Sequence, residues 1–238
     1  MYDVKEFHFN KEECWFKEKC KDYNNENCNC SCSLYCQFYY LVNLANIPFN
    51  MQYPKNQIMT PGRDDHEFSI LTDIKNNIVE WVQNGGNLYL FSENFGNGKT
   101  TWAIKLMCSY FSKIWQGNGI ECRGLFINVD EFLMEKQKQI SYRDKRFIEM
   151  ENLIPSVDLV IWDDIGCTQL TNYQHNILFP LINSRIIQHK SNIFTSNVID
   201  SDLENNVGNR ITSRILDTSQ IIEFINPSFR RPTQRRGM

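Results

Sequence analysis

The run Asn87-Leu-Tyr-Leu-Phe-Ser-Glu-Asn-Phe-Gly-Asn-Gly-Lys-Thr-Thr101 limits the possible folds more than any other stretch of the chain. Leu88 to Phe91 read as a buried strand, and from Thr100 onward Ala103, Met107, Tyr110 and Ile114 recur at helical spacing. Between them, Gly96 and Gly98 free the backbone to turn sharply. A strand, a glycine-bearing turn and a helix start aim backbone N–H groups at one point, where the helix dipole also favours negative charge. Asn94, Phe95, Gly96, Asn97, Gly98, Lys99, Thr100 and Thr101 are therefore candidate phosphate-binding residues. In this pattern Lys99 reaches the β- and γ-phosphates of a nucleotide such as ATP, and the Thr100 hydroxyl holds Mg²⁺. One position departs from G-x-x-x-x-G-K-[ST]. Glu93 stands where the first glycine is expected, setting a carboxylate against the phosphates or reshaping the turn.

Beyond this loop the chain alternates strands with helices. Gly124 to Val129 predicts a second strand, with Asp130 capping a polar helix after it. The charged stretch Glu135 to Lys145 reads as a solvated face. Leu159-Val-Ile-Trp-Asp163-Asp164 predicts a third strand ending in paired carboxylates, and a helix follows from about Tyr173 to His189. Asn192 to Asn197 predicts a fourth strand with a polar tip. A helix holding Arg210 and Arg214 then leads to a fifth strand, Gln220 to Phe224. Upstream, one helix is expected over Leu34 to Ala45 and another over Ile70 to Val82. Alternation of this kind predicts an α/β fold with a parallel sheet and its chemistry at the strand C-terminal ends.

The division of the chain follows composition. Residues 1–46 read as a Cys-rich N-terminal module, 47–66 as a linker, 67–226 as the α/β domain and 227–238 as a basic tail. Six of the nine cysteines fall in the first segment: Cys14, Cys20, Cys28, Cys30, Cys32 and Cys36. In a reducing compartment such a cluster reads as metal-binding. Four of the six, with His8 as an alternative ligand, are expected to hold Zn²⁺, although the spacing has no C-x-x-C knuckle; three disulfides of a secreted mini-domain, or unliganded thiols on a polar segment, are the alternatives. The net charge of −3 gives no global nucleic-acid signature. No apolar run approaches the roughly 20 residues that span a bilayer. The first residues lack the apolar core of a signal peptide, so a cytoplasmic protein without membrane contact is expected.

Asp163 and Asp164 close an apolar strand at the edge where the phosphate loop lies, which suits one acid to Mg²⁺ and the other to the attacking water. Alone, such a pair would be a helix-capping turn. Asn197, at the tip of the fourth strand, is placed to contact a γ-phosphate or that water; an ordinary polar turn is the alternative. Arg210 and Arg214 share one helical face, as solvated charges or as a finger acting on a neighbouring subunit's nucleotide. The tail from Phe229 to Arg236 carries four arginines and suits contact with nucleic-acid phosphates, or is simply solvated.

Taken in order, the phosphate loop, Val-Ile-Trp-Asp-Asp-Ile-Gly, Phe-Thr-Ser-Asn and Arg-Ile-Thr-Ser-Arg resemble the AAA+ ATPases of the DnaC/DnaI helicase-loader group over roughly residues 70 to 225. The resemblance implies an AAA+ P-loop NTPase with a five-stranded parallel sheet of order 5-1-4-3-2. It implies ATP-dependent self-assembly and delivery of a hexameric replicative DNA helicase onto single-stranded DNA. Residues 96 to 101 would bind phosphates, Asp163 would serve Mg²⁺, Asp164 would activate water and Asn197 would be the first sensor. Arg214, or else Arg210, would be the finger. The Cys-rich segment would be the helicase-binding module, zinc-bearing in some such loaders. Two other functions fit the same core: an IstB-type regulator of transposition, and an adaptor that binds nucleotide with little hydrolysis. Glu93 and the short Asp164 side chain favour the last.

Overall fold

The computed structural model describes residues 9–52, 65–114, 121–139 and 141–225. Five parallel strands form one sheet in the order β2-β3-β4-β1-β5: β1 (Asn87–Phe91), β2 (Gly124–Asn128), β3 (Leu159–Asp163), β4 (Ser191–Ser196) and β5 (Gln220–Glu223). Read from the other edge this is the expected 5-1-4-3-2. Every residue of β3 and β4 is buried, as strands covered by helices on both faces require. Alternation then divides the core. Leu88 and Leu90 face one layer with Ile161 and Ile193, and Tyr89 faces the other with Trp162 and Phe194.

The first layer comprises α1 (Ser33–Leu44), α2 (Asp65–Asn76), α3 (Ile78–Gln83) and α4 (Lys99–Phe111). The second holds α5 (Val129–Lys138), α6 (Lys145–Leu153), α7 (Asn172–Ile187), α8 (Asp200–Val207) and α9 (Asn209–Leu216). Register levels the strand ends that matter: Asn128 pairs with Asp163, and Phe91 with Ser196. The turns after β1, β3 and β4 therefore share one edge of the sheet.

Several elements differ from the sequence reading. The helix expected over Ile70 to Val82 is two helices, parted at Asn77, whose side chain donates to the Asp73 carbonyl at 3.2 Å. Helix α5 is capped by Asn128, which accepts from the Glu131 N–H at 3.1 Å, rather than by Asp130. Helix α6 lies just beyond the stretch read as solvated. Its charges hide an apolar stripe in which Phe147 is buried and Met150 and Leu153 pack against the second layer. Helix α8 was not expected at all.

The N-terminal segment also departs from expectation. Helix α1 contributes Phe38, Leu41 and Val42 to the same core as Ile104 and Met107 of α4, and the Ala45 carbonyl accepts from the Phe126 N–H at 2.7 Å. The expected zinc site is not seen among the described residues. All nine cysteines are free thiols, and among the described residues no three His, Cys, Asp or Glu side chains meet in a metal-holding group. His8 lies outside the described residues. Burial raises the Cys14 thiol above its ordinary pKa, with smaller contributions from Cys32, Cys28 and Cys20; these sulfurs are neighbours without converging. The physical reason is that asparagine side chains shape the segment's turns, as where Asn25 caps the Asn27 N–H and Asn29 the Ser31 N–H, both at 2.9 Å. Aromatic contacts then fix it to α1, with Trp15 stacked on Phe38 at 5.4 Å between centroids.

Candidate nucleotide site

The loop between β1 and α4 is built on two glycines. Gly96 has φ 72° and Gly98 φ 103°, left-handed values that a side chain would strain. Gly98 is the N-cap residue of α4, and its carbonyl accepts from the Trp102 N–H at 2.9 Å. Lys99, Thr100 and Thr101 follow as the first turn. Glu93 and Phe95 are exposed, so the acid in the first-glycine position points to solvent.

The side chain of Asn97 turns inward. Fully buried, it donates to Ser92 Oγ at 2.6 Å and to the Phe224 carbonyl at 3.0 Å, while Ser92 Oγ also donates to Phe224 and accepts from the Asn94 N–H. The loop is thereby fastened to the end of β5. The Asn97 side chain is thus engaged within the fold.

Lys99, only 5% exposed, donates to Asn197 Oδ1 at 2.7 Å and to the Asn94 carbonyl and Asn97 Oδ1 at 3.2 Å each. These oxygens hold the ammonium at the loop mouth. Thr100 Oγ1 donates to Asp163 Oδ1 at 2.8 Å. A hydroxyl and a carboxylate so close are hard oxygen donors of the kind Mg²⁺ takes, and the two residues fit that ion. Burial first, and the neighbouring Asp164 second, push the Asp163 carboxyl up to about 6. A bound divalent cation would reverse that cost by favouring the ionised form.

Asp164 has φ 57°, a left-handed conformation uncommon for a residue with a side chain, and its Oδ1 accepts from Asn197 Nδ2 at 3.3 Å. The same Nδ2 lies 3.6 Å from the Cys167 sulfur. The structure thus brings Lys99, Thr100, Asp163, Asp164 and Asn197 together at the ends of β1, β3 and β4. Arg210 and Arg214 are exposed on α9 and contact α7 instead. The Arg210 guanidinium lies 4.0 Å from the Phe179 ring centroid, and Arg214 Nε donates to Asn183 Oδ1 at 2.8 Å.

Sequence reasoning missed Ser92 and Thr195. Thr195 Oγ1 donates to Asp163 Oδ1 at 2.7 Å and accepts from the Asp164 N–H at 3.0 Å. Strand alternation supplied a signal, since residues 195 and 197 fall on one side of the strand expected over 192–197.

A parallel sheet of this order, with a glycine loop after its first strand and paired acids ending its third, defines an AAA+ P-loop fold. Residues 44–237 match the family of IstB-like ATP binding proteins, and the chain belongs to that family. No curated protein sequence matches the chain. Among solved structures it is similar to DnaI, with TM-score 0.60 and 18% identity over 75% of this chain and 94% of that one. It is similar to the DnaC helicase loader, with TM-score 0.55 and 18% identity over 71% of this chain and 92% of that one. It is also similar to the replication initiator DnaA bound to AMPPCP and single-stranded DNA, with TM-score 0.54 and 17% identity over 68% of this chain. The match spans 47% of that DnaA chain, about half its length. Identities this low speak for a shared fold. No helix among the described residues is long and apolar enough to cross a membrane.

Proposed function

We propose that this protein is an ATP-dependent helicase loader, which binds a hexameric replicative DNA helicase and helps place it on single-stranded DNA. The observation that carries the reading is the convergence of Lys99, Asp163 and Asn197 on a fold shared with DnaI and with the DnaC helicase loader. Backbone N–H groups of residues 94–101 and the Lys99 ammonium bind the phosphates. Thr100 and Asp163 would hold Mg²⁺, which would supply charge neutralisation for the phosphates. Asp164 orients the attacking water and Asn197 senses the γ-phosphate. An aspartate reaches less far than the glutamate common at this position, so hydrolysis is slow or stimulated by a partner. Arg214, or else Arg210, acts on a neighbouring subunit's nucleotide in an ATP-bound homo-oligomer. The N-terminal segment grips the helicase. The basic tail, which lies outside the described residues, supports DNA contact.

Co-purification with the replicative helicase of the same cell, with and without ATP, tests this. The variant to run in parallel lacks residues 1–32, which spares α1 and its place in the core. A complex that forms with the full chain and is lost in the variant supports the loader and its N-terminal grip. No complex under any nucleotide condition contradicts it. A regulator of transposition is the second reading, favoured by the match to IstB-like proteins. Capture of a transposase in place of the helicase would select it.

A further inference from the structure

We infer that Thr195 is the positioning residue of the site, aligning Asp163 and Asp164 through one side chain. The inference rests on reading those acids as the metal-holding and water-orienting groups. Thr195 is fully buried on β4, the strand beside β3. Its hydroxyl donates to Asp163 Oδ1 at 2.7 Å and accepts from the Asp164 N–H at 3.0 Å, so both directions of the group are engaged. Its backbone carbonyl accepts from the Ile165 N–H at 2.9 Å. Thr195 therefore ties three consecutive residues, the last of β3 and the first two of the turn after it.

The turn needs that tie. Asp164 has φ 57°, which a residue with a Cβ adopts at a cost unless the surroundings fix it. Thr195 binds the N–H groups on either side of the Asp164 side chain, and the resulting conformation carries the carboxylate to Asn197 Nδ2 at 3.3 Å. Ser196 Oγ and Asn206 Nδ2 close the turn from beyond, donating to the carbonyls of Ile165 at 2.6 Å and Gly166 at 2.7 Å. Those bonds hold the backbone but leave the two acids untouched. Thr100 and Thr195 both donate to Asp163 Oδ1. Thr100, at the loop mouth, is half-buried and would offer its oxygen to a cation, whereas Thr195 is sealed from solvent and keeps its hold on the carboxylate.

Thr195→Val preserves shape and removes the hydroxyl, and Thr195→Ser restores it. Binding of ATP in EDTA, binding of ATP as Mg²⁺ is added, and turnover are measured for each. In Thr195→Val, Mg²⁺-free ATP affinity stays within about twofold, the Mg²⁺ concentration for half-maximal tightening rises about tenfold, and kcat falls with KM little changed. Thr195→Ser lies within about threefold of the parent in every readout. An unchanged Mg²⁺ dependence in Thr195→Val overturns the inference, as does loss of Mg²⁺-free ATP binding. Loss of the fold in both Thr195→Val and Thr195→Cys also overturns it, because the hydroxyl would then serve stability. Absence of turnover in the parent chain contradicts the ATPase reading, while the Mg²⁺ dependence of binding still reports on Thr195.

Discussion

The Lys99 ammonium lies 2.7 Å from the side-chain oxygen of Asn197, joining the phosphate loop to the tip of β4 by a charge-assisted hydrogen bond. A phosphate entering the loop competes with a neutral amide oxygen for this lysine. Making that oxygen a carboxylate strengthens the competitor. Asn197→Asp is expected to weaken Mg²⁺-ATP binding about tenfold or more. Asn197→Ala should keep affinity within about threefold and lower turnover roughly a hundredfold. Calorimetry and phosphate release separate the two effects.

Asp163 carries a stability cost that its proposed role explains. Its carboxyl is raised from 3.8 to about 6, so the folded chain holds this proton more tightly than the unfolded chain does. That contribution is fully present below about pH 4 and is lost as pH rises through about 6. Asp163→Asn removes the buried charge while keeping an acceptor for Thr100 and Thr195. The variant should be more stable than the parent at neutral pH by roughly 1–2 kcal/mol, and no more stable near pH 4. It should also lose the Mg²⁺ dependence of ATP binding. Thermal melts at both pH values check the first point, and a variant no more stable at neutral pH contradicts it.

The two arginines of α9 are exposed and set against Phe179 and Asn183 of α7. Arg214→Ala is expected to bind ATP normally and to turn over at least tenfold less in assemblies. Mixing it with Lys99→Ala should recover part of the activity, since one chain then supplies the finger and the other the nucleotide. Unchanged turnover would move the role to Arg210, and two inactive variants that never complement would contradict a finger in trans.

What could be read from the sequence was set by how local each signal is. Four apolar residues before Asp163 mark a buried strand without further information, and a parallel sheet then levels its end with the phosphate loop. That is why Lys99, Asp163 and Asn197 were legible as one site. Asn97 was read as a phosphate-binding candidate through the backbone N–H groups of its loop; that its side-chain amide is buried against Ser92 and the Phe224 carbonyl, a partner 127 residues away, was not legible from local spacing. Arg185 was missed for the same reason. Its buried guanidinium binds the carbonyls of Ile154, Val157 and Ser191, which only the assembled sheet brings together. Helix α6 was hidden by its charges. The number of cysteines suggested a metal, whereas among the described residues asparagine turns and the Trp15–Phe38 stack are what organise the segment, contacts that cysteine spacing does not signal.

Lys99 and the loop that presents it are the centre of the proposed nucleotide site, so the most direct test is calorimetric titration of Mg²⁺-ATP into the parent chain and into Lys99→Ala. Saturable binding at one ATP per chain, lost by at least a hundredfold in Lys99→Ala, is the expected result. Undiminished affinity in Lys99→Ala, or no binding to the parent, would contradict the assignment of this site to a nucleotide.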